Sequence, residues 1–328
     1  MPLSERSKCA RREYFAYCYG ENKLFGERYV ALIADYLGLA WDHTADIVRR
    51  LSIYLRAFTI VDDDLRDIPS KVNDCSLNGL RQHFLGSAWQ LIDELSSPIM
   101  DPAQNLTAEL HRYNEASDFY AKLHLNAGPA AVDWTYTDRY ADRMALVRMP
   151  FLLLKPQTDC DRVSNGIIAV EGLMKALQIL DDLVDWQEDL REGRVTYPTL
   201  CYCSSTSTTL VQQLRNITRS GPKAMEHTIH NIEAELPYHP IIREQLERSC
   251  GIVKEASSAL KEGQGDTLWR RTIEIGNRLE AVLAECDHLK GSVERDNLVL
   301  RIQRSGAAPQ RLHKERGENV ESRRASVD

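Results

Sequence analysis

The sequence has no Gly-Gly pair, no Cys-x-x-Cys pair and no clean apolar run longer than the Phe151-Leu152-Leu153-Leu154 kind. Each absence removes a class of protein. Without a glycine-rich turn between a strand and a helix, nucleotide-loop chemistry has no support. The eight cysteines are scattered singly or as Cys-x-Cys, so no zinc knuckle is available and they read as reduced thiols. No run approaches the roughly 20 apolar residues that cross a bilayer, so no membrane span is expected. No basic stretch followed by an apolar one opens the sequence, and the chain is expected to be soluble and cytoplasmic. Basic excess is also missing: 41 Lys and Arg stand against 48 Asp and Glu, a net charge of −7. That balance argues against a nucleic-acid partner, which needs a basic face.

What remains is a helical pattern. Strand-like alternation is scarce, and apolar residues recur at helical spacing over 328 residues that are 43% hydrophobic. Ala45, Ile47, Val48, Leu51, Leu55 and Phe58 form one such run, opening after a cap at Thr44 and leading into Asp62-Asp63-Asp64. Ile167, Ile168, Val170, Leu173, Leu177 and Leu180 form a second, apolar around much of its circumference and hence expected to be buried, leading into Asp181-Asp182. A third covers Leu268 to Ile302. Breaks at Pro69, Pro98 to Pro102, Gly128-Pro129, Gly221-Pro222 and Pro237 to Pro240 divide the chain into helices of ordinary length. One all-α domain is expected over 1–303. Residues 304–328 lose the periodicity and read as a disordered charged tail.

Two stretches fit the pattern DDxxD: Asp63-Asp64-Leu65-Arg66-Asp67 and Asp181-Asp182-Leu183-Val184-Asp185. In a chain with 48 acids that string alone is a weak signal. Placement strengthens it, because both clusters fall where an apolar helical run ends and the helix dipole disfavours negative charge. Asp63 and Asp67 are four apart, as are Asp181, Asp185 and Asp189, so each set shares a helix face with about 6 Å between neighbours. At that separation two carboxylates repel by roughly 3 kcal/mol at an effective dielectric of about 20, and a cation must compensate. Hard oxygen donors without histidine or cysteine select Mg²⁺, with Mn²⁺ as substitute, and Mg²⁺ favours substrate phosphates as its remaining ligands. Asp62 to Asn73 lacks the central glycine and final glutamate of a calcium loop. A phosphorylated or diphosphorylated substrate held on one side by metal needs cations on the other, and the family resemblance set out next makes Arg139, Arg143 and Arg148 candidates. Gln178, one turn before Asp182, is an amide on an apolar helix and must find a polar partner.

These residues carry a family resemblance. Leu177-Gln178-Ile179-Leu180-Asp181-Asp182-Leu183-Val184-Asp185 resembles the FQxxDDxxD element of trans-polyprenyl diphosphate synthases. Continued through Pro198, the string is similar to the second acidic motif of squalene and phytoene synthases. Asp181, Asp185 and Asp189 match the spacing of the three metal ligands in the second motif of terpene cyclases, with aspartates where an amide, a hydroxyl and a glutamate are usual. Asp63 and Asp67 match the first motif of all three groups. The resemblance to class I isoprenoid synthases implies an all-α bundle around a central cavity, in a protein that commonly forms homodimers. It implies an allylic prenyl diphosphate of C10 to C20 as substrate and three Mg²⁺ ions, with Asp63, Asp64, Asp67, Asp181, Asp182, Asp185 and Asp189 as the metal set. Arg139, Arg143, Arg191, Arg194 and Tyr197 are then the diphosphate contacts, and Arg143, Arg148, Arg194, Tyr197 and Gln178 the catalytic group. Tyr54, Phe58, Tyr140, Phe151 and Trp186 are candidate walls for the hydrocarbon, and Arg66 an ion-pair partner for its neighbours.

Among the branches, chain-elongating synthases carry an early GGKxR and an Arg-Arg-Gly after the first motif; here Asp67 is followed by Ile68-Pro69-Ser70-Lys71. The first expectation is therefore a terpene synthase that cyclises one substrate. The second is a prenyltransferase, condensing two prenyl diphosphates or elongating one. A non-catalytic helical partner subunit is the third.

Overall fold

The computed structural model describes residues 28–67, 71, 73–95, 101–126, 137, 139–154, 160–191, 196–206, 222–233, 240–260 and 266–288. The tail from Arg304 lies outside the described residues. Among the described residues every regular element is helical: α1 Arg28–Leu37, α2 His43–Asp67, α3 Cys75–Glu94, α4 Pro102–Asn126, α5 Tyr140–Arg143, a 3₁₀ turn Ala145–Arg148, α6 Met149–Leu154, α7 Cys160–Arg191, α8 Tyr197–Thr206, α9 Pro222–Glu233, α10 Pro240–Leu260 and α11 Asp266–His288.

Local chemistry sets the boundaries. Gly38 stops α1 in the left-handed region at φ 70°, and two bonds close the end, Gly38 N–H to Asp35 O (3.0 Å) and Leu39 N–H to Ala34 O (2.9 Å). This is the Schellman arrangement, which a residue with a Cβ would strain. The start of α2 differs from the expected Thr44 cap: Asp42 Oδ1 accepts from Ala45 N–H at 2.8 Å, and the helix begins at His43. An aspartate at this position satisfies an orphan amide, so it outcompetes the threonine two residues on. Asp74 caps α3 in the same way, through Ser76 and Leu77, and Asp101 caps α4 through Gln104, with Pro102 at the first helical position.

Helix α7 is the axis of the molecule. Its first half, from Val163 to Met174, packs with the inward faces of α1, α2, α3 and α6 in one core cluster. Its second half, from Leu173 to Leu190, packs with α8, α9, α10 and α11 in another. The stretch Cys160–Leu183 is, by length and composition, apolar enough to cross a bilayer, contrary to the expectation from sequence. Burial against two layers of helices is the physical reason for that composition, as half of its most apolar window lies inside the protein. The acidic cluster on this helix also departs from expectation. Instead of ending with the apolar run, α7 continues to Arg191, so only Asp189 stands in the last turn and the dipole argument does not reach Asp181 or Asp182.

Gly166 is where α7 meets α1 and α6. A Cβ placed there would collide with the Phe151 ring and approach Tyr36 Cε1 to 2.8 Å. Both rings are fully buried, and Tyr36 is held by its hydroxyl bond to Arg162 O at 3.0 Å, so neither can retreat cheaply. Gly166→Ala is expected to destabilise the fold by roughly 1–3 kcal/mol despite the better helix propensity of alanine, read from the denaturant midpoint.

Candidate active site

The last turns of α2 place three consecutive aspartates in three directions, since neighbours on a helix diverge by about 100°. The Asp62 side chain is 2% exposed, with Oδ2 accepting from Arg66 Nε at 2.7 Å and from the Tyr113 hydroxyl at 2.8 Å, and Arg81 pairing with its other oxygen. Asp64 is buried and takes Lys71 Nζ at 3.1 Å. Asp63 remains 27% exposed; its Oδ1 lies 3.1 Å from the Tyr113 hydroxyl and 3.3 Å from Arg143 Nη2. Burial first, then Asp63 and Asp62, hold the Tyr113 hydroxyl well above its ordinary pKa and keep it a donor. The side chain of Asp67 lies outside the described residues.

On α7 the second cluster is more deeply enclosed. Asp182 is buried and accepts from the Tyr140 hydroxyl on one oxygen and from Gln178 Nε2 at 3.0 Å on the other. Gln178 also reaches Asp181 Oδ2 at 3.4 Å, so the expected polar partners of this amide are the acids themselves. Asp181 and Asp189 are buried, and Asp185 is half-buried. Burial and then Asp189 push the Asp182 carboxyl up to about 7, against the pull of its bonds from Tyr140 and Gln178.

That shift has a consequence for stability. An acid whose folded pKa lies above its unfolded value of 3.8 favours folding only while protonated, so its contribution is full below about 4 and is lost as pH rises towards 7. Denaturation midpoints in a chelator are expected to fall across that interval, by up to about 4 kcal/mol of unfolding free energy, and Asp182→Asn to flatten the slope.

The two acidic clusters are joined through α4 and the single turn of α5. The Arg143 guanidinium, beside Asp63, lies 5.6 Å from the Tyr120 ring centre. Tyr120 stacks on Tyr140 at 5.5 Å between centroids, and Tyr140 bonds to Asp182. Tyr140 and Arg143, three apart, project from one side of α5, one towards each cluster. A continuous relay therefore runs Asp63, Arg143, Tyr120, Tyr140, Asp182. Behind Asp63, the stripe Thr59, Arg56, Leu55 and Ser52 of α2 lines a pocket closed by Tyr29, Met144, Leu146 and Val147.

Other expected residues lie elsewhere. Arg148 is buried in the interior, with Nη2 2.5 Å from Glu109 and Nη1 2.6 Å from Glu171. Those carboxylates consume its charge, which corrects its assignment to the diphosphate. Arg139 is exposed with its guanidinium 4.3 Å from the Phe119 ring centre, and Arg191 is exposed against Glu226 at 2.9 Å. Tyr197 is buried, bonded to Cys201 and raised in pKa by its burial. Arg194 lies outside the described residues. Phe58, Phe151 and Trp186 are buried core, Phe58 meeting Tyr113 edge-on at 5.8 Å, while Tyr54 is half-buried against Phe84 at 6.4 Å. Sequence reasoning missed Tyr113, Tyr120, Lys71 and Arg81. Tyr113 and Tyr120 are seven apart on one face of α4, a pattern visible in the sequence but carrying no signal until their partners are known.

Among the described residues no three acids, histidines or cysteines converge tightly enough to hold a metal unaided. The donors in the two clusters are nonetheless all carboxylate oxygens, and burial followed by the neighbouring Asp189 raises the Asp182 carboxyl. This donor set fits Mg²⁺ completed by oxygens of a substrate.

No family model matches the sequence, and no curated protein matches it. Solved structures do match in shape. The heptaprenyl diphosphate synthase of Staphylococcus aureus is similar with a TM-score of 0.61 at 13% identity, over 86% of this chain and 98% of that one. A polyprenyl synthase from Roseobacter denitrificans gives 0.57 at 16% identity, over 84% and 95%. The octaprenyl pyrophosphate synthase of Helicobacter pylori gives 0.53 at 15%, over 83% and 99%. The chain has the all-α fold of these synthases, the class I isoprenoid synthase fold implied by its two acidic motifs.

Proposed function

We propose that this protein ionises an allylic prenyl diphosphate and transfers the resulting prenyl cation to a second substrate. The observation that carries the reading is the relay from Asp63 to Asp182, which links two acidic clusters far apart in sequence through one arginine. Asp63, Asp67, Asp181, Asp185 and Asp189 would hold Mg²⁺, which when bound supplies Lewis-acid stabilisation of the departing pyrophosphate. Arg143 neutralises part of the charge that grows on the leaving group, exchanging its contact with Asp63 for the diphosphate. Tyr140 and Gln178 fix the rotamer of Asp182. Leu55, Met144, Leu146 and Val147, on the apolar side of the pocket behind Asp63, would meet the start of the hydrocarbon.

Cyclisation came first from the sequence. The likeness to three polyprenyl synthases over more than four-fifths of the chain is better matched by prenyl transfer, so that reading is preferred. Cyclisation stays as the second reading on one observation, the missing Gly-Gly and Arg-Arg-Gly elements of chain elongation. Incubation with Mg²⁺ and C10, C15 or C20 allylic diphosphates, with and without isopentenyl diphosphate, decides between them. A longer diphosphate or a doubled chain supports transfer, and a hydrocarbon from one substrate supports cyclisation. Recovery of every substrate intact sinks both.

A further inference from the structure

The inward stripe of α4 carries four polar side chains, Glu109, Tyr113, Ser117 and Tyr120, spaced four, four and three apart and hence on one face. Three have partners on the opposing helices. Glu109 meets Arg148, Tyr113 donates to Asp62 and Asp63, and Tyr120 lies between Tyr140 and Arg143. Ser117 is the exception. It is 2% exposed, yet its Oγ has no hydrogen-bond partner among the described residues. A helical serine ordinarily donates to the carbonyl one turn back, and a buried hydroxyl left without any bond is destabilising.

The surroundings locate this hydroxyl. Arg143 reaches from the Tyr120 ring to Asp63 Oδ1, the oxygen that Tyr113 also contacts, so it links the two tyrosines that flank Ser117 on this face of α4. On the other flank, Arg66 is held by Asn114 and Asp118 of the same two turns. Ser117 therefore shares its face of α4 with Tyr113 and Tyr120, the two side chains that touch Asp63 and Arg143. A group that accepts hydrogen bonds, carries negative charge and competes with Asp63 for Arg143 fits this position.

We infer that Ser117 is a further substrate-binding residue of this site, its hydroxyl donating to an oxygen of the diphosphate that Arg143 contacts. The inference rests on the diphosphate reading of the site. It explains why the stripe keeps a hydroxyl where alanine would pack without an unmet bond.

The test is calorimetric titration of the full chain and its Ser117→Ala variant with inorganic pyrophosphate and Mg²⁺, together with thermal unfolding of both without ligand. The variant is expected to bind about tenfold more weakly while melting at the same temperature or higher. Equal affinity in the two proteins overturns this inference and leaves the diphosphate reading standing. A variant that loses affinity and melts lower also overturns it, since the hydroxyl is then part of the internal structure. If the unaltered chain takes up no Mg²⁺-pyrophosphate, the diphosphate reading falls and this inference with it.

Discussion

Asp63→Asn is expected to lower turnover of an allylic diphosphate by about 10²–10³-fold while changing unfolding free energy by no more than about 1 kcal/mol. The asymmetry follows from exposure. Asp63 pairs with Arg143 across a partly solvated gap, where an ion pair contributes little to stability, yet it is more exposed than the buried Asp62 and Asp64 beside it. Its neighbour provides the contrast. Asp62 is itself buried, taking bonds or ion pairs from Arg66, Arg81 and the Tyr113 hydroxyl, so Asp62→Asn removes a charge-assisted set of bonds from the interior and is expected to cost about 2–3 kcal/mol. Denaturant melts and steady-state rates on the two variants separate the roles. Equal stability losses, or full activity in Asp63→Asn, would show that the adjacent acids are interchangeable and that this end of α2 is not the reacting end.

Arg148→Met is the second large effect, and it is one of stability. The guanidinium lies between Glu109 and Glu171 with distances of 2.5 and 2.6 Å, and it also donates from Nε to Ala145 O at 3.4 Å. Burial raises the pKa of the Glu109 carboxyl, against the pull of Arg148 and then Arg112. Removing the cation leaves the buried Glu109 carboxylate unpaired beside the partly exposed Glu171, an arrangement expected to destabilise by about 3 kcal/mol. Changing both acids to glutamine in the Arg148→Met background should recover most of the loss, because replacing a whole buried ionic group by neutral side chains is far milder than breaking it. Chemical denaturation of the single and triple variants tests this. A single variant with unchanged midpoint and reduced turnover would return Arg148 to the catalytic set.

These two residues mark the boundary of what could be read in advance. Arg143 and Arg148 are equally basic, sit on the same segment and precede the second acidic cluster by similar distances. Nothing local distinguishes them. Arg148 is taken by Glu109 of α4 and Glu171 of α7, and Arg143 by Asp63 of α2 and the ring of Tyr120 of α4. Partner choice depends on how α4, α5 and α7 cross, which is a property of packed side chains along whole helices. Tyr197 and Arg191 show the same limit: following a metal motif in sequence does not aim a side chain back at it, and these two turn to Cys201 and Glu226.

The amino-acid sequence by itself determined that the protein is helical, that two carboxylate clusters interrupt apolar runs, and that their donors are hard oxygens suited to Mg²⁺. Those properties follow from periodicity and side-chain chemistry, which are local. Tertiary structure decided which of Asp62, Asp63 and Asp64 stays partly exposed, since three successive residues on a helix point about 100° apart and Arg81 of α3 and Tyr113 of α4 enclose Asp62 while Lys71 takes Asp64. It also decided that Tyr140 and Arg143, rather than Arg148, tie the clusters together, because a buried charge takes its identity from neighbours that are distant in the chain.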